Sequence, residues 1–361
     1  MVNEPRLTTT ADIERMVELV NPDWTLREDT PESSGRHFTH RLRIATEAGE
    51  TRAILKASED EISVCHEARL LAILDEATDL PVASVHGVVD EHSDLPTPFF
   101  IMEELPGKSI HKSEADTLSE QTLHQIAVSS GQQLAILHEV DAVDEFGVIS
   151  VEKDQSLQGG MPSCDPDALS VPDGDTSWPD HVEASFEEML DALADSRFSD
   201  VRSDVEDAVE PMIAGLRADG SFEPVVGRVE HSLDNMLVDP AAGEVTGMLD
   251  WEFVASMTPA NDLVFAEFWL SGGQWGLLPS TPDYRALIRD GLLEGYRSRG
   301  STAVLEEYRT HRDCYKIIQL LRTMVVFEGM FDAYGATDRQ RSVSASALRE
   351  RLSEIMTSSP A

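Results

Sequence analysis

The stretch PVVGRVEHSLDNMLVDPAAGEVTGMLDWEFVASMTPANDL, residues Pro224 to Leu263, decides how the chain folds. Short apolar runs alternate in it with polar loops. Val225-Val226 leads into residues 227–235, Met236-Leu237-Val238 follows, Asp239-Pro240-Ala241-Ala242-Gly243 turns, and residues 245–249 run up to Asp250-Trp251-Glu252. Asp-Pro and Gly between two apolar runs signal a hairpin. Such a hairpin sets Asn235 at one strand end and Asp250 at another, on the same side. An Asn and an Asp so placed can chelate Mg²⁺, a hard cation that takes oxygen ligands and shares them with substrate phosphates. The plainer reading is a pair of acceptors satisfying loop amides. This stretch by itself leaves both open.

Composition narrows the class. The 361 residues suffice for one large or two modest domains with ample core. Lys+Arg number 28 against 67 Asp+Glu, a formal charge of −39. The acid is spread through the whole chain, as on the surface of a folded protein and unlike a disordered acidic tail. A self-repelling, lysine-poor surface is one that molar salt screens, so the setting expected is the salt-rich cytoplasm of a halophile. Nucleic acid and anionic membranes need basic patches and are not expected as partners. Cys65, Cys164 and Cys314 have neither metal spacing nor a disulfide pattern. The N-terminal residues lack a signal-peptide core, and no 18-residue apolar run occurs.

Upstream, Thr10 can cap a helix with Ile13, Met16, Val17 and Val20 on one face. Residues 30–36 read as a polar loop. Phe38, His40, Leu42 and Ile44 then alternate with polar residues as in a strand, and residues 51–57 return as a second strand ending at Lys56. In the helix expected over residues 59–77, Glu67 shares a stripe with Val64, Leu71 and Leu74. A carboxylate on a core-facing stripe needs a partner, and Lys56 is the natural one. Strands are expected at 84–90 and 99–103, and Leu105-Pro106-Gly107 breaks the chain before a helical region. There Ser119 caps a helix over 119–139 that ends in Leu137-His138. Residues 150–181, rich in Gly, Pro, Ser and Asp, have no period and read as a binding loop or a mobile one. Helices follow over 178–195, 200–218 and 262–271, with several more over 282–356.

Taken in order, these parts resemble the aminoglycoside phosphotransferase family, which shares the protein-kinase-like fold with choline and homoserine kinases. The resemblance spans roughly residues 25 to 335. It is carried by Ala53-Ile54-Leu55-Lys56, His66-Glu67-Ala68-Arg69, the run from Phe100 to Gly107, Leu137-His138, and Leu249-Asp250-Trp251-Glu252 followed by Pro259 and Asp262-Leu263. It implies an α+β, bilobal fold: a small antiparallel-sheet N-lobe with one helix over residues 1–104, and a larger, mainly helical C-lobe over 105–361. It also implies an ATP- and Mg²⁺-dependent phosphotransferase acting on a hydroxyl of a small molecule, for which an acidic surround favours a cationic or polyhydroxylated acceptor. Lys56, kept in place by Glu67, would hold the α- and β-phosphates, and Ser33, Ser34 and Gly35 would lie over them. Glu103, Glu104 and Leu105 would present backbone groups to the base, and Asn235 and Asp250 would hold Mg²⁺. Asp262 would brace the catalytic loop. The acceptor would lie against residues 265–276.

One departure stands out. The family writes its catalytic loop His-Gly-Asp, with that Asp five residues before the metal-binding Asn; here those positions hold Arg228-Val229-Glu230. Glu230 can accept a hydroxyl proton as Asp does. Its extra methylene moves the oxygens by about 1 Å, a misplacement that can cost about 10²-fold, and Val229 resists a backbone that Gly permits. The alternative reading is therefore a nucleotide-binding pseudokinase serving as a regulatory or interaction module.

Overall fold

The computed structural model describes residues 9–32, 37–58, 61–111, 117–153, 155–277, 281–333 and 335–358. Contacts group the chain into two units. Unit 1 comprises Met1–Lys108, Ser150–Ser170 and Thr246–Phe253; unit 2 comprises Ser109–Ile149, Val171–Val245 and Val254–Ala361. The sequence suggests one cut between residues 104 and 105; these units instead each draw on three separate segments.

Unit 1 is built on period-two alternation. Its first helix, α1 (Thr10–Val20), is capped by Thr9, one residue earlier than expected. The capping box needs an acid at the third helical position, and Asp12 supplies it by exchanging hydrogen bonds with Thr9. Strands β1 (Thr25–Pro31), β2 (Phe38–Thr46) and β3 (Gly49–Ala57) precede α2 (Glu61–Ala77), and β4 (Val85–Val89) and β5 (Phe99–Glu103) follow it. The sheet runs β1-β2-β3-β5-β4 with antiparallel neighbours throughout. Leu42 and Ile44 of β2, Leu55 and Ala57 of β3, and Phe99 and Ile101 of β5 pack with Ile13, Met16 and Val17 of α1. Successive side chains leave a strand on opposite faces, so Lys56 points away from that core to the face where α2 supplies Glu67.

Strand β1 was not anticipated. Thr25–Pro31 pairs on one side only, and five of its seven residues are exposed, so there is no buried face to print an alternation. Thr30 and Pro31, expected in a loop, belong to this strand. The segment 150–170 also departs from its reading as a binding or mobile loop. Ser150–Val151 pairs with Leu169–Ser170, and Gln158–Gly160 extends the sheet beside β4. Gly159, at φ 100°, permits this: a Cβ there would meet the Leu19 carbonyl oxygen at 2.0 Å.

Asp90 fastens that segment. Its carboxylate accepts two hydrogen bonds from Arg69 at 3.1 and 2.9 Å, one from the Leu157 amide at 2.7 Å and one from Cys65 Sγ at 2.9 Å. Burial opposes ionisation of Asp90, yet these donors hold it below the usual carboxylate range, while burial and Asp90 push the Cys65 thiol up to about 12. Asp90→Ala leaves the Arg69 guanidinium buried without its partner. We expect a stability loss of about 3–5 kcal/mol in denaturant unfolding, with amide exchange rising first in residues 155–160. Unchanged exchange there would show that the hub does not hold the segment.

Unit 2 is mainly helical: α3 (Glu120–Leu137), α4 (Trp178–Ala192), α5 (Arg202–Asp219), α6 (Pro259–Leu270), α7 (Arg285–Arg297), α8 (Thr302–Val325), α9 (Phe327–Ala333) and α10 (Asp338–Ser358). Ser119 caps α3 as expected, accepting from the Thr122 amide at 3.0 Å. Helices α3 and α7 touch through glycine, since a Cβ on Gly295 would meet the Val128 carbonyl oxygen at 1.9 Å. Residues 259 to 267 of α6 are all buried, the mark of a helix enclosed on every side. Beside it Val225–Arg228 pairs with Val254–Met257, which in turn pairs with Gly147–Val148. The α+β class expected from the sequence is the class observed.

Candidate active site

In unit 1 the site is a lysine among carboxylates. Lys56, at the end of β3, places Nζ 2.6 Å from Glu67 Oε2, 3.1 Å from Glu252 Oε1 and 3.7 Å from Asp250 Oδ1. Trp251 organises the approach. Its ring is fully buried with Nε1 donating to the Met248 carbonyl at 3.0 Å, and its amide donates to Glu67 Oε1 at 3.2 Å. Asp250 itself sits at φ 61°, a left-handed conformation that Asp tolerates better than most residues. Strained backbone of this kind gathers at functional sites.

The charges do not balance. Burial works against the Lys56 ammonium, but Glu67, Asp250 and Glu252 together hold its pKa well above the ordinary lysine value. Burial pushes Glu67 up, with Lys56 and the Trp251 amide opposing. Glu67 and Glu252 are buried (side chains 2% and 4% exposed) and engaged, the latter also by His37, whereas the Asp250 side chain is 44% exposed. Ligand atoms of Glu67, Asp250 and Glu252 lie within 4.8 Å of one another. Three carboxylates around one ammonium leave negative charge over, and the accessible oxygens of Asp250 are hard donors of the kind Mg²⁺ takes.

In unit 2 the loop over residues 228–235 is held by Asp262. This fully buried carboxylate accepts from the Arg228 amide at 3.3 Å, His231 Nε2 at 2.8 Å and His138 Nε2 at 3.0 Å. His138 also bonds Tyr296 through Nδ1 at 3.0 Å, so it is a positioning group. Burial pushes Asp262 up, but the two histidines more than reverse this and bring it down to about 2, while burial lowers His231. Arg228 is fully buried, and its guanidinium donates to the Asn235 carbonyl at 3.2 Å across the loop. Trp269 Nε1 donates to the Val229 carbonyl at 2.7 Å. Val229 is not among the non-glycine residues at positive φ, which among the described residues are Asp173 and Asp250, so this loop does not need glycine there.

Glu230 stands apart from the Asp262 hub. It is half-buried, and its Oε1 accepts from Ser232 Oγ at 2.9 Å. Asn235 closes the short 3-10 turn Leu233–Asn235, its amide donating to the Ser232 carbonyl at 3.0 Å. The expected metal pair is divided between the units, Asp250 in unit 1 and Asn235 in unit 2. The stretch expected to meet the base lies at the end of β5: Glu103 donates its amide to the Ser84 carbonyl at 2.9 Å, Glu104 accepts from Arg41 at 3.2 Å, and Leu105 is half-buried. Ser33, Ser34 and Gly35 lie outside the described residues.

Three residues of the site escaped the sequence reading. Glu252 was visible in Asp-Trp-Glu, but nothing in spacing alone sends it to Lys56. His37 carries no signal. Arg228 counts as a lost histidine until its side chain is seen bridging to Asn235, with His231 making the bond to Asp262.

A family model described as the phosphotransferase enzyme family matches residues 30–309. Clavilactone A biosynthesis cluster protein Y of Ampulloclitocybe clavipes is 26% identical over 224 residues, 57% of this chain and 52% of that protein. The chain thus spans about half the length of the curated relative it matches. Among solved structures, a thermostable mutant of aminoglycoside phosphotransferase APH(4)-Ia with ADP and hygromycin B aligns at a TM-score of 0.55 and 14% identity, over 94% of this chain and 98% of that one. The streptomycin–ATP complex of APH(2'')-IIa gives 0.51 and 16%, over 99% of each chain. At these identities the likeness concerns the fold, which is the α+β, protein-kinase-like one.

Proposed function

Since the chain belongs to the phosphotransferase enzyme family, we propose that it is a small-molecule kinase, moving the γ-phosphate of Mg-ATP to a hydroxyl. The observation that carries this reading is the ammonium of Lys56 held between buried Glu67 and Glu252 beside an accessible Asp250. ATP, bound with Mg²⁺, supplies the phosphoryl group and its leaving group. Lys56 meets the α- and β-phosphates, and Glu67 and Glu252 keep it from folding back into solvent. Asp250 and Asn235 offer the metal their oxygens. Glu103 to Leu105 present backbone groups to the base. Glu230 orients the acceptor hydroxyl and takes its proton, with the loop beneath it pinned by Asp262. Positioning and neutralisation of charge suffice for this chemistry.

The acceptor is a small hydroxyl compound, cationic or polyhydroxylated, and the setting is a salt-rich cytoplasm. Among the described residues no helix is long and apolar enough to cross a membrane. A binding-only module draws its support from Arg228-Val229-Glu230, but Arg228 and Val229 serve the loop's own structure, so no geometric observation favours it.

The test is phosphate transfer from ATP in high potassium with Mg²⁺, across amines, sugars and amino alcohols. At least one acceptor is expected to be phosphorylated, and Glu230→Gln should lower kcat by roughly 10²- to 10⁴-fold with nucleotide affinity kept. Mg-ATP binding with every acceptor unmodified, and activity gained by Glu230→Asp, would replace the kinase reading with that of a binder.

A further inference from the structure

Ser232 stands where a serine has an ordinary local use, and it is put to another. It opens the 3-10 turn Leu233–Asn235 with extended backbone, φ −66° and ψ 153°. A serine so placed normally accepts a hydrogen bond from an amide of the turn it opens, as Ser119 does from Thr122 at α3 and Ser177 from Asp180 at α4. The Ser232 side chain makes no such cap. Its hydroxyl instead donates to Glu230 Oε1 at 2.9 Å.

The backbone on either side of Glu230 is fixed by other groups. Val229 is held through its carbonyl by Trp269 Nε1 at 2.7 Å, and His231 Nε2 reaches Asp262 at 2.8 Å. The Arg228 guanidinium donates to the Asn235 carbonyl at 3.2 Å, and the Asn235 amide donates to the Ser232 carbonyl at 3.0 Å. What these bonds do not hold is the Glu230 side chain. It carries one more methylene, and one more rotatable bond, than an aspartate in its place.

Glutamate is among the side chains with the most rotamer freedom to lose, and a reacting group about 1 Å out of place can cost about 10²-fold in rate. A hydroxyl two residues on, bonded to Oε1, turns the Glu230 side chain back along its own loop and takes up that freedom. One carboxylate oxygen is thereby engaged, and Oε2 is left for a hydroxyl arriving from outside. Through its carbonyl the same serine is joined to Asn235. Ser232 thus links the carboxylate assigned to the proton with the residue assigned to the metal.

We propose that Ser232 is a positioning residue for phosphoryl transfer, its hydroxyl setting the Glu230 carboxylate where Oε2 takes the acceptor's proton and so offsetting the added methylene. The inference rests on the kinase reading, with Glu230 as the base. In the step itself the acceptor oxygen bonds to the γ-phosphorus and its proton passes to Glu230. The bond from that phosphorus to the β–γ bridging oxygen breaks, and ADP leaves with the electron pair. Ser232 keeps its own proton throughout.

The test is steady-state kinetics of the full chain with Mg-ATP and whichever amine, sugar or amino alcohol the parent phosphorylates fastest. Ser232→Ala is expected to lower kcat about 10- to 10²-fold, the scale of one hydrogen bond to a charged group. KM for ATP, and the affinity for Mg-ADP measured by calorimetry, should stay within about twofold of the parent. The thermal midpoint should stay within about 2 °C, because the hydroxyl caps nothing. Ser232→Thr, which keeps a hydroxyl, should recover most of the parental kcat. In Glu230→Gln there is no base to position, so adding Ser232→Ala should change the residual rate by less than about threefold. An unchanged kcat in Ser232→Ala, an equal further loss in the Glu230→Gln background, or a loss matched in Mg-ADP affinity or thermal midpoint overturns the inference and leaves the kinase reading standing. A parent chain that phosphorylates none of the acceptors overturns both.

Discussion

Asp250→Asn is expected to reduce phosphoryl transfer on the order of 10³-fold while leaving the protein as stable as the parent. The lost charge stabilisation by a metal-held carboxylate is several kcal/mol, and about 4 kcal/mol corresponds to 10³ in rate. Stability follows a different balance. Asp250 is one of three carboxylates around a single ammonium, and its charge raises the pKa of buried Glu67. Asn removes that repulsion at the cost of a 3.7 Å contact to Lys56, and it accepts the φ of 61° as readily as Asp does. Asp250→Ala is expected to lose the same activity and, in addition, about 1–2 kcal/mol from the left-handed backbone. Rates with Mg²⁺ and thermal midpoints for the three proteins decide the matter. A variant within tenfold of parental activity removes Asp250 from the metal site.

The largest effect on stability is expected from Asp262→Asn. Asn presents an NH₂ group where the carboxylate now accepts from an amide and two imidazoles, so donor faces donor in a fully buried place. Breaking such an arrangement costs about 3–5 kcal/mol. The pH dependence separates this from simple misfit. His231 has a folded pKa below its ordinary 6.5, so the parent begins to lose stability as pH falls below about 6.5 and the unfolded chain takes up that proton. Asp262 titrates at about 2 folded against an ordinary 3.8, so its contribution is complete above 3.8 and disappears as pH falls towards 2. That second loss, about 2 kcal/mol, should be absent from Asp262→Asn. Denaturant midpoints from pH 7 to pH 2.5 measure both limbs. An unchanged midpoint at pH 7, or an identical acid limb, would mean that Asp262 does not hold the loop.

Much of the site could be read before any coordinates because its parts sit on regular elements. Lys56 reads as the end of a returning strand, and a helical stripe exposes Glu67 as a carboxylate in need of a cation. Their 2.6 Å contact joins two adjacent elements, for which spacing is a sufficient guide. Glu252 and His37 were invisible for the complementary reason. The meeting of Glu252 with Lys56, and of His37 with Glu252, depends on how the chain turns at Asp250, and a φ of 61° at an aspartate leaves no mark in composition or period. The same holds for Arg228 and His231: read singly they look like a lost motif, and only the path of the loop shows how they serve Asn235 and Asp262. In the fold, strand β1 and Gln158–Gly160 were missed because an exposed edge strand and a three-residue strand rich in glycine bury no alternating face. Asp90, four-fold engaged and linking residues 69 and 157, is long-range by nature.

The divided make-up of unit 1 has a consequence in time. Lys56 and Glu67 are synthesised early, but Asp250 and Glu252 come roughly 180 residues later. At about 5–20 residues per second this interval is on the order of 10–40 s on the ribosome. During it the nascent sheet has its lysine and one carboxylate, and the Trp251 amide that anchors Glu67 has yet to emerge. The unit that is begun first is thus finished only after two of the three segments of unit 2 have been made, and its completion waits on an eight-residue segment, Thr246–Phe253.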